Sequence, residues 1–359
     1  FSPAANAWTW LRGADFISQP GVYGTKGVTT VSNQPGAREF PGCWVGDNGK
    51  FYLFGGAGQP ASMFQGHLND FWEYDPATDT WTQKASFSEI GRSNTISFAI
   101  NGKGYVTTGS AGSGQPLYDD LWEYDPGSNS WTQKADFPGD ARSGGVGSSV
   151  NGRGYAGLGG TQLGLYQDWY EYNPATNSWT QKASFPLTST GLGTASPANN
   201  MIFAGIMFGG PGIYENNWHR YDPASDTWTA MSDFPGSDRT SAQSFSINNI
   251  VYAAGGFHTM NGSEATMYAF TPSVGVENIA VPQLRIFPNP ASMQIIVDLD
   301  VEKTARLKIF NVIGQEVKTG SITSGNQTVS LEGLSEGLYH IQVEEEGQII
   351  GTGQFILEK

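Results

Sequence analysis

The strongest constraint on this chain is a phrase it writes four times. Residues 70–87 (DFWEYDPATDTWTQKASF), 120–138 (DLWEYDPGSNSWTQKADFP), 168–186 (DWYEYNPATNSWTQKASFP) and 217–235 (NWHRYDPASDTWTAMSDFP) align without gaps through Trp81, Trp131, Trp179 and Trp228, which stand 50, 48 and 49 residues apart. A period near fifty with no helical pattern inside it predicts a four-stranded sheet repeated around an axis. Composition agrees, because 48 Gly and 13% aromatics among 359 residues suit many short strands joined by tight turns and held by rings. With only 14% charged residues the chain is neither coiled coil nor charged disordered tail. The 33 acidic against 19 basic residues leave a formal charge of −14 and no electrostatic footprint for nucleic acid or an anionic membrane surface. A single cysteine, Cys43, forbids an intrachain disulfide, and no apolar run is long enough for a transmembrane segment. The start at Phe1, without a methionine or apolar leader, is expected from removal or trimming of a signal peptide.

Each unit reads strand by strand, with residues 93–137 as the type case. A first strand at 95–100 is followed by the two-residue turn Asn101-Gly102, which supplies the positive φ of a tight hairpin. Strands at 104–108, 121–125 and 131–134 follow, the second and third separated by a variable loop. The Asn-Gly turn recurs at Asn48-Gly49 and Asn151-Gly152 and weakens to Asn199-Asn200 and Asn248-Asn249. First strands are crowded with small residues, as at 144–149, because wedge-shaped sheets converge on a common axis.

These residues resemble the kelch family of β-propellers. Its marks are the glycine pairs Gly55-Gly56, Gly159-Gly160, Gly209-Gly210 and Gly255-Gly256, the aromatic third strand and the outer Trp; unit two has Thr108-Gly109 instead, and unit four has His219 for the third-strand Trp. The fold class expected is all-β: a five-bladed kelch propeller over 1–273, a linker at 274–283 and a small β-sandwich at 284–359. The fifth unit ends at 267–272 without an outer strand, and Asn6-Ala7-Trp8-Thr9 matches Asn129-Ser130-Trp131-Thr132. The N-terminal segment is therefore expected to complete the last blade and close the ring. An insertion of about 24 residues relative to the kelch period then lies around 19–24.

The C-terminal residues alternate as half-buried strands at 295–299, 306–310, 328–331, 338–343 and 354–357. Phe287-Pro288-Asn289-Pro290-Ala291, the stretch 309–317 with Gly314, and Gly337-Leu338-Tyr339 resemble the type A sorting domain of the type IX secretion system. That resemblance implies recognition by the outer-membrane translocon through a signal that includes Pro288, Asn289, Pro290, Gly314, Gly337 and Tyr339. It also implies a sortase as partner, and a secreted or cell-surface location in a Gram-negative bacterium. The rival reading is an ordinary accessory sandwich.

Function is expected on the propeller face that carries the irregular loops between second and third strands, since rigid scaffolds place recognition on variable loops. Arg38, Arg92, Arg142 and Arg239 recur just before the first strand, and blade four lacks the residue. They are read either as a clamp for a carboxylate or acidic sugar or as ties between neighbouring blades through Asp70, Asp120 and Asp168. Tyr118, Tyr166, Tyr214 and His258 on the loops complete the candidate ligand site. Asp75, Asp125, Asn173 and Asp222 precede proline and read as turn formers. The four histidines show no metal-ligand spacing, and no cofactor or metal is expected. The function expected is a binding or adhesion module for a glycan or protein ligand. The alternative is an enzyme on the same scaffold, such as a sialic-acid mutarotase. A copper radical oxidase is a weaker alternative, because Cys43, His219 and His258 lack its surrounding motifs.

Overall fold

The computed structural model describes residues 18–59, 66–87, 89–112, 116–188, 190–210, 213–214, 216–232, 238–258, 262–263, 266–270, 284–299, 304–311, 315–345 and 348–358. Every regular element among them is a strand, and they fall into two compact units, one on each side of residues 271–283.

In the first unit, four antiparallel sheets of four strands follow one another along the chain. Blade one comprises Gly42–Val45, Phe51–Phe54, Phe71–Asp75 and Thr80–Gln83, and blade two Ile96–Ile100, Lys103–Thr107, Leu121–Asp125 and Ser130–Gln133. Blade three comprises Val146–Val150, Arg153–Gly157, Trp169–Asn173 and Ser178–Lys182, and blade four Thr194–Ala198, Met201–Gly205, Trp218–Asp222 and Thr227–Ala230. A fifth sheet has three described strands, Gln243–Ile247, Ile250–Ala254 and Met267–Phe270. The Trp8 segment expected to complete it lies outside the described residues, as does the linker expected at 274–283. First strands of successive blades pack side by side from the first to the fifth.

The hairpin turns explain themselves. Asn101-Gly102 and Asn151-Gly152 hold positive φ at both positions, and so do Asn199-Asn200 and Asn248-Asn249. Asparagine tolerates the left-handed region, so the weaker dipeptides make the same two-residue turn. Blade one differs, because its turn spans Gly46 to Lys50, closed by Gly46 N–H donating to the Lys50 carbonyl at 2.9 Å. Asp75, Asp125, Asn173 and Asp222 each accept a backbone N–H two residues on, at 2.8–3.0 Å, as turn formers do.

Blade packs on blade through rings and backbone. Trp44 stacks on Tyr52 and Phe71 and meets Trp131 of the next blade edge-on at 6.5 Å. Gly104 makes room for it, since a Cβ there would collide with the Trp44 indole. The outer tryptophans reach back: Trp131, Trp179 and Trp228 donate their indole N–H to the carbonyls of Ala85, Ala135 and Ala183 at 2.9–3.0 Å. The insertion lies along the outer strand of blade one, with Thr30 bridging Trp81 and the Tyr23 hydroxyl donating to Asp70 at 2.7 Å. It covers an edge that would otherwise offer unpaired backbone.

The second unit is a two-sheet sandwich. Arg285–Phe287, Gln294–Leu299 and Gly325–Ser330 face Glu316–Ile322, Ala305–Asn311, Gly337–Glu345 and Gln348–Leu357 around Ile295, Val297, Ile309, Val343 and Phe355. The strands Arg285–Phe287 and Glu316–Ile322 are additional to those read from alternation; both sit on sheet edges with few buried residues, so neither shows a clear alternation. Asn289 accepts from Ile356 N–H at 2.9 Å and donates to the Gln354 carbonyl at 3.2 Å. Tyr339 donates to the Ser335 carbonyl at 2.7 Å. Gly314 lies outside the described residues.

Candidate functional site: the loop face of the propeller

The loops between second and third strands are short hairpins. Gly160–Thr161 pairs with Gly164–Leu165, Phe208–Gly210 with Ile213–Tyr214, and Phe257–His258 with Gly262–Ser263. Each hairpin also bridges the segment that enters its own blade, at Ser143↔Gly160, Gly191↔Phe208 and Thr240↔Phe257, and Arg38–Glu39 pairs likewise with Ala57–Gly58. These small sheets stand as walls around a mouth on the axis.

The recurrent arginines lie beneath the walls. Arg92, Arg142 and Arg239 are 1%, 0% and 1% exposed. Arg38 grips Asp70 with both terminal nitrogens at 2.7 and 2.9 Å, Arg92 grips Asp120 at 2.5 and 3.1 Å, and Arg142 grips Asp168 in the same bidentate way. Each pair joins the segment entering a blade to the residue just before the third strand of that same blade, which corrects the expected tie between neighbours. The neighbour is held by backbone instead: the carbonyls of Arg92 and Arg142 accept from Gly56 and Gly109 N–H of the preceding blade at 2.9 and 2.8 Å. Arg239 has no aspartate at the equivalent position and donates to the Gly255 carbonyl and Thr266 hydroxyl at 2.9 and 3.0 Å. Tyr118 and Tyr166 lie over the Arg92 and Arg142 guanidiniums at 4.0 and 4.1 Å, so their faces are engaged. Burial raises the Tyr166 hydroxyl pKa, with Asp140 adding to it. Burial opposes ionisation of Asp70, but Arg38, Trp72 and Tyr23 outweigh it and hold the carboxyl below its usual range. For Tyr214 and His258 the described part is the hairpin backbone.

The guanidinium partners also correct the glycine-pair alignment. Arg38, Arg92, Arg142 and Arg239 donate to the carbonyls of Gly55, Thr108, Leu158 and Gly255, all at φ between 58° and 68°. Register therefore equates Gly55-Gly56 with Leu158-Gly159 and, in blade four, with Ile206-Met207. Gly159-Gly160 and Gly209-Gly210 are displaced from it. Thr190 occupies the arginine position of blade four, fully buried, with no hydrogen-bond partner for its hydroxyl among the described residues.

Two residues beyond each of these positions, Phe40, Asn94, Gly144, Leu192 and Ser241 all take positive φ, between 46° and 68°. Backbone N–H of Asn94, Gly144, Leu192 and Ser241 donates to the carbonyl of the preceding member at 2.9–3.0 Å. No motif announced this annulus, although its equal offset from the arginine was the available signal. Above it opens a cavity of about 720 Å³, bordered by His67, Ser93, Ser110, Leu117, Leu163 and Phe208 among others. His67 Nδ1 and the Ser93 hydroxyl are 3.2 Å apart. None of the four arginines borders this cavity.

Residues 25–195 match the KLHDC2/KLHL20/DRC7 Kelch-repeats domain, and residues 285–358 match the Secretion system C-terminal sorting domain. The chain carries a kelch-repeat propeller and a type IX sorting domain. Among solved structures, that of YjhT superposes with a TM-score of 0.59 at 17% identity, covering 68% of this chain and 84% of that one, a likeness of fold. Among curated proteins, the N-acetylneuraminate epimerases of Shigella sonnei (strain Ss046) and Escherichia coli (strain K12) are 36% identical over 62 residues. That stretch is 17% of this chain and 17% of the length of those relatives. The sorting domain marks the kelch protein for export through type IX secretion machinery. No helix among the described residues is long and apolar enough to cross a membrane.

Proposed function

We propose that this exported propeller is a glycan-binding module, held at the outer cell surface, with its ligand in the mouth of the loop face. The observation that carries the reading is the 720 Å³ cavity above the annulus, whose border mixes hydroxyl and amide groups with aliphatic side chains, as ligand pockets do. Arg38, Arg92 and Arg142 are each given to an aspartate, which favours an uncharged ligand over an acidic one. Binding of the full chain to a glycan array is expected to favour neutral glycans and to drop at least tenfold in Leu163→Glu, which puts a charge at the mouth. Array binding that is unchanged in that variant, or no binding at all, would count against the reading.

A second reading, catalysis on a sialic-acid-type substrate, draws on the 62-residue similarity to the epimerases. It needs a guanidinium free to take the carboxylate. Faster anomer exchange of N-acetylneuraminic acid in the presence of the protein, followed by proton NMR, would favour it.

A further inference from the structure

The mouth continues inward past the annulus. Phe40, Asn94, Gly144 and Leu192 border both the outer cavity and a second, smaller space of about 190 Å³ enclosed by the first strands. The two spaces differ in chemistry. The inner one is walled by Ser97, Thr194, Ser241, Gln243 and Ser244, with Cys43 the single titratable group among its described lining residues. Cys43 is exposed to the bore, and desolvation by the surrounding strands pushes its thiol up to about 12, so it too is uncharged near neutrality. The outer space adds Leu117, Leu163, Leu165 and Phe208 to a border that also carries His67, Ser93, Ser110 and Gln162, and Leu163 stands 99% exposed at the tip of its hairpin. Both linings are mixed, but polar surface predominates in the inner space and apolar surface in the outer one, the reverse of an ordinary pocket.

We propose that the mouth takes an uncharged amphiphile, a neutral sugar unit bearing an apolar substituent, which enters sugar first. This rests on the reading of the mouth as the binding surface and names the ligand's class. The inner hydroxyls form a chain in which either partner can donate, Thr194 to Ser244 at 2.6 Å and Ser196 to Ser244 at 2.8 Å. Hydroxyls of this kind turn to suit a partner that both donates and accepts, which a sugar hydroxyl does. A carboxylate or phosphate would lose its hydration there without a counter-charge. The protein's net charge of −14 opposes its approach as well. A purely apolar ligand would strip water from the inner hydroxyls and give nothing back. The inner space holds one small polar unit, so the rest of the ligand remains outside against Leu163, Leu165 and Phe208, whose burial favours an apolar substituent.

Titration calorimetry of the full chain with octyl β-glucoside and octyl β-galactoside below their micelle-forming concentrations, with glucose, galactose and octanoate as controls, tests this. At least one octyl glycoside is expected to bind tenfold or more tightly than its free sugar and than octanoate. Leu163→Ser is expected to weaken glycoside binding at least fivefold without changing free-sugar binding, and Gln243→Leu to weaken both. Both side chains are exposed, so the fold tolerates the changes. Octanoate binding as well as the glycosides, or glycoside affinity indifferent to both variants, overturns the proposal. Array binding that is lost in Leu163→Glu, together with free sugar binding as tightly as its octyl glycoside, overturns it while leaving the glycan-binding reading intact.

Discussion

At the scale of single residues, the arginines show how burial decides between two roles that sequence leaves open. A guanidinium with 1% of its residue exposed and both arms on a carboxylate is part of the scaffold's internal bonding, as for Arg92 with Asp120. Removing one partner strands the other in a low-dielectric site, which costs about 3–5 kcal/mol, whereas replacing both with apolar residues of similar size is close to neutral. Urea unfolding should therefore show Arg92→Leu losing about that much and Arg92→Leu/Asp120→Leu recovering most of it. Equal losses in single and double variants would mean that the stacking on Tyr118 and Phe87, at 4.0 and 4.9 Å, matters more than the pair. Backbone strain is spread by the same repeat: Thr108, Leu158 and Ile206 take the left-handed conformation that Gly55 and Gly255 adopt freely. Leu158 and Ile206 are fully buried, and their packing offsets the strain.

At the scale of elements, the unit of cohesion is the seam between an outer strand and the blade before it. Asn177 illustrates it: its side-chain oxygen accepts from the Tyr172 hydroxyl at 2.8 Å and from Ala135 N–H of the preceding blade at 2.9 Å. Asn129 and Asp226 repeat the arrangement with Tyr124 and Ala85, and with Tyr221 and Ala183. Asn177 also sits at φ 50°. Asn177→Gly keeps that conformation and loses only the staple, leaving a buried phenol unpaired, for about 1–3 kcal/mol. Asn177→Ala additionally forces alanine into the left-handed region, a further 1–2 kcal/mol or so. Denaturant titration should rank wild type above glycine above alanine; the reverse order of the two variants would remove backbone conformation from the account.

At the scale of the whole molecule, the repeat multiplies an ionic network of buried glutamates and partly exposed lysines and so sets the pH range of stability. Glu73 accepts from Tyr52 at 3.0 Å and from Lys50 at 3.0 Å, and Glu123 from Tyr105 at 2.6 Å and Lys103 at 2.9 Å. Burial works against these carboxylates, yet the lysines and phenols prevail and lower their pKa, as Arg38 does for Asp70. A depressed folded pKa means stability that is present above the unfolded value, about 4, and lost as pH falls through the folded one. The phenols shift the other way: burial lifts Tyr52 and Tyr172 to about 12. Their contribution is full below the unfolded value, about 10, and is lost as pH rises through the folded one. The melting temperature should thus be flat from about pH 5 to about pH 10 and fall on both sides. In Glu73→Gln/Glu123→Gln the neutral plateau should drop and the acid limb become shallower; an unchanged acid limb would assign acid unfolding to other groups.

The sequence by itself determined the period, the aromatic outer strands, the turn formers and the presence of a sorting module, because each is written in local spacing that a single strand or turn must obey. Thus Asn101-Gly102 reads as a turn before any neighbour is known, and Trp131 reads as an outer ring from its echo at Trp179. Tertiary structure alone decided which carboxylate each arginine meets, which dipeptide occupies the left-handed bend, and that the residues two beyond the four arginines and Thr190 surround one bore, mainly polar beneath and mainly apolar above. The arginine pairs and the bend depend on strand register within a blade, and the ring of backbone bonds depends on residues brought together from separate blades; a displaced glycine pair such as Gly159-Gly160 looks the same in a string whether or not the register uses it.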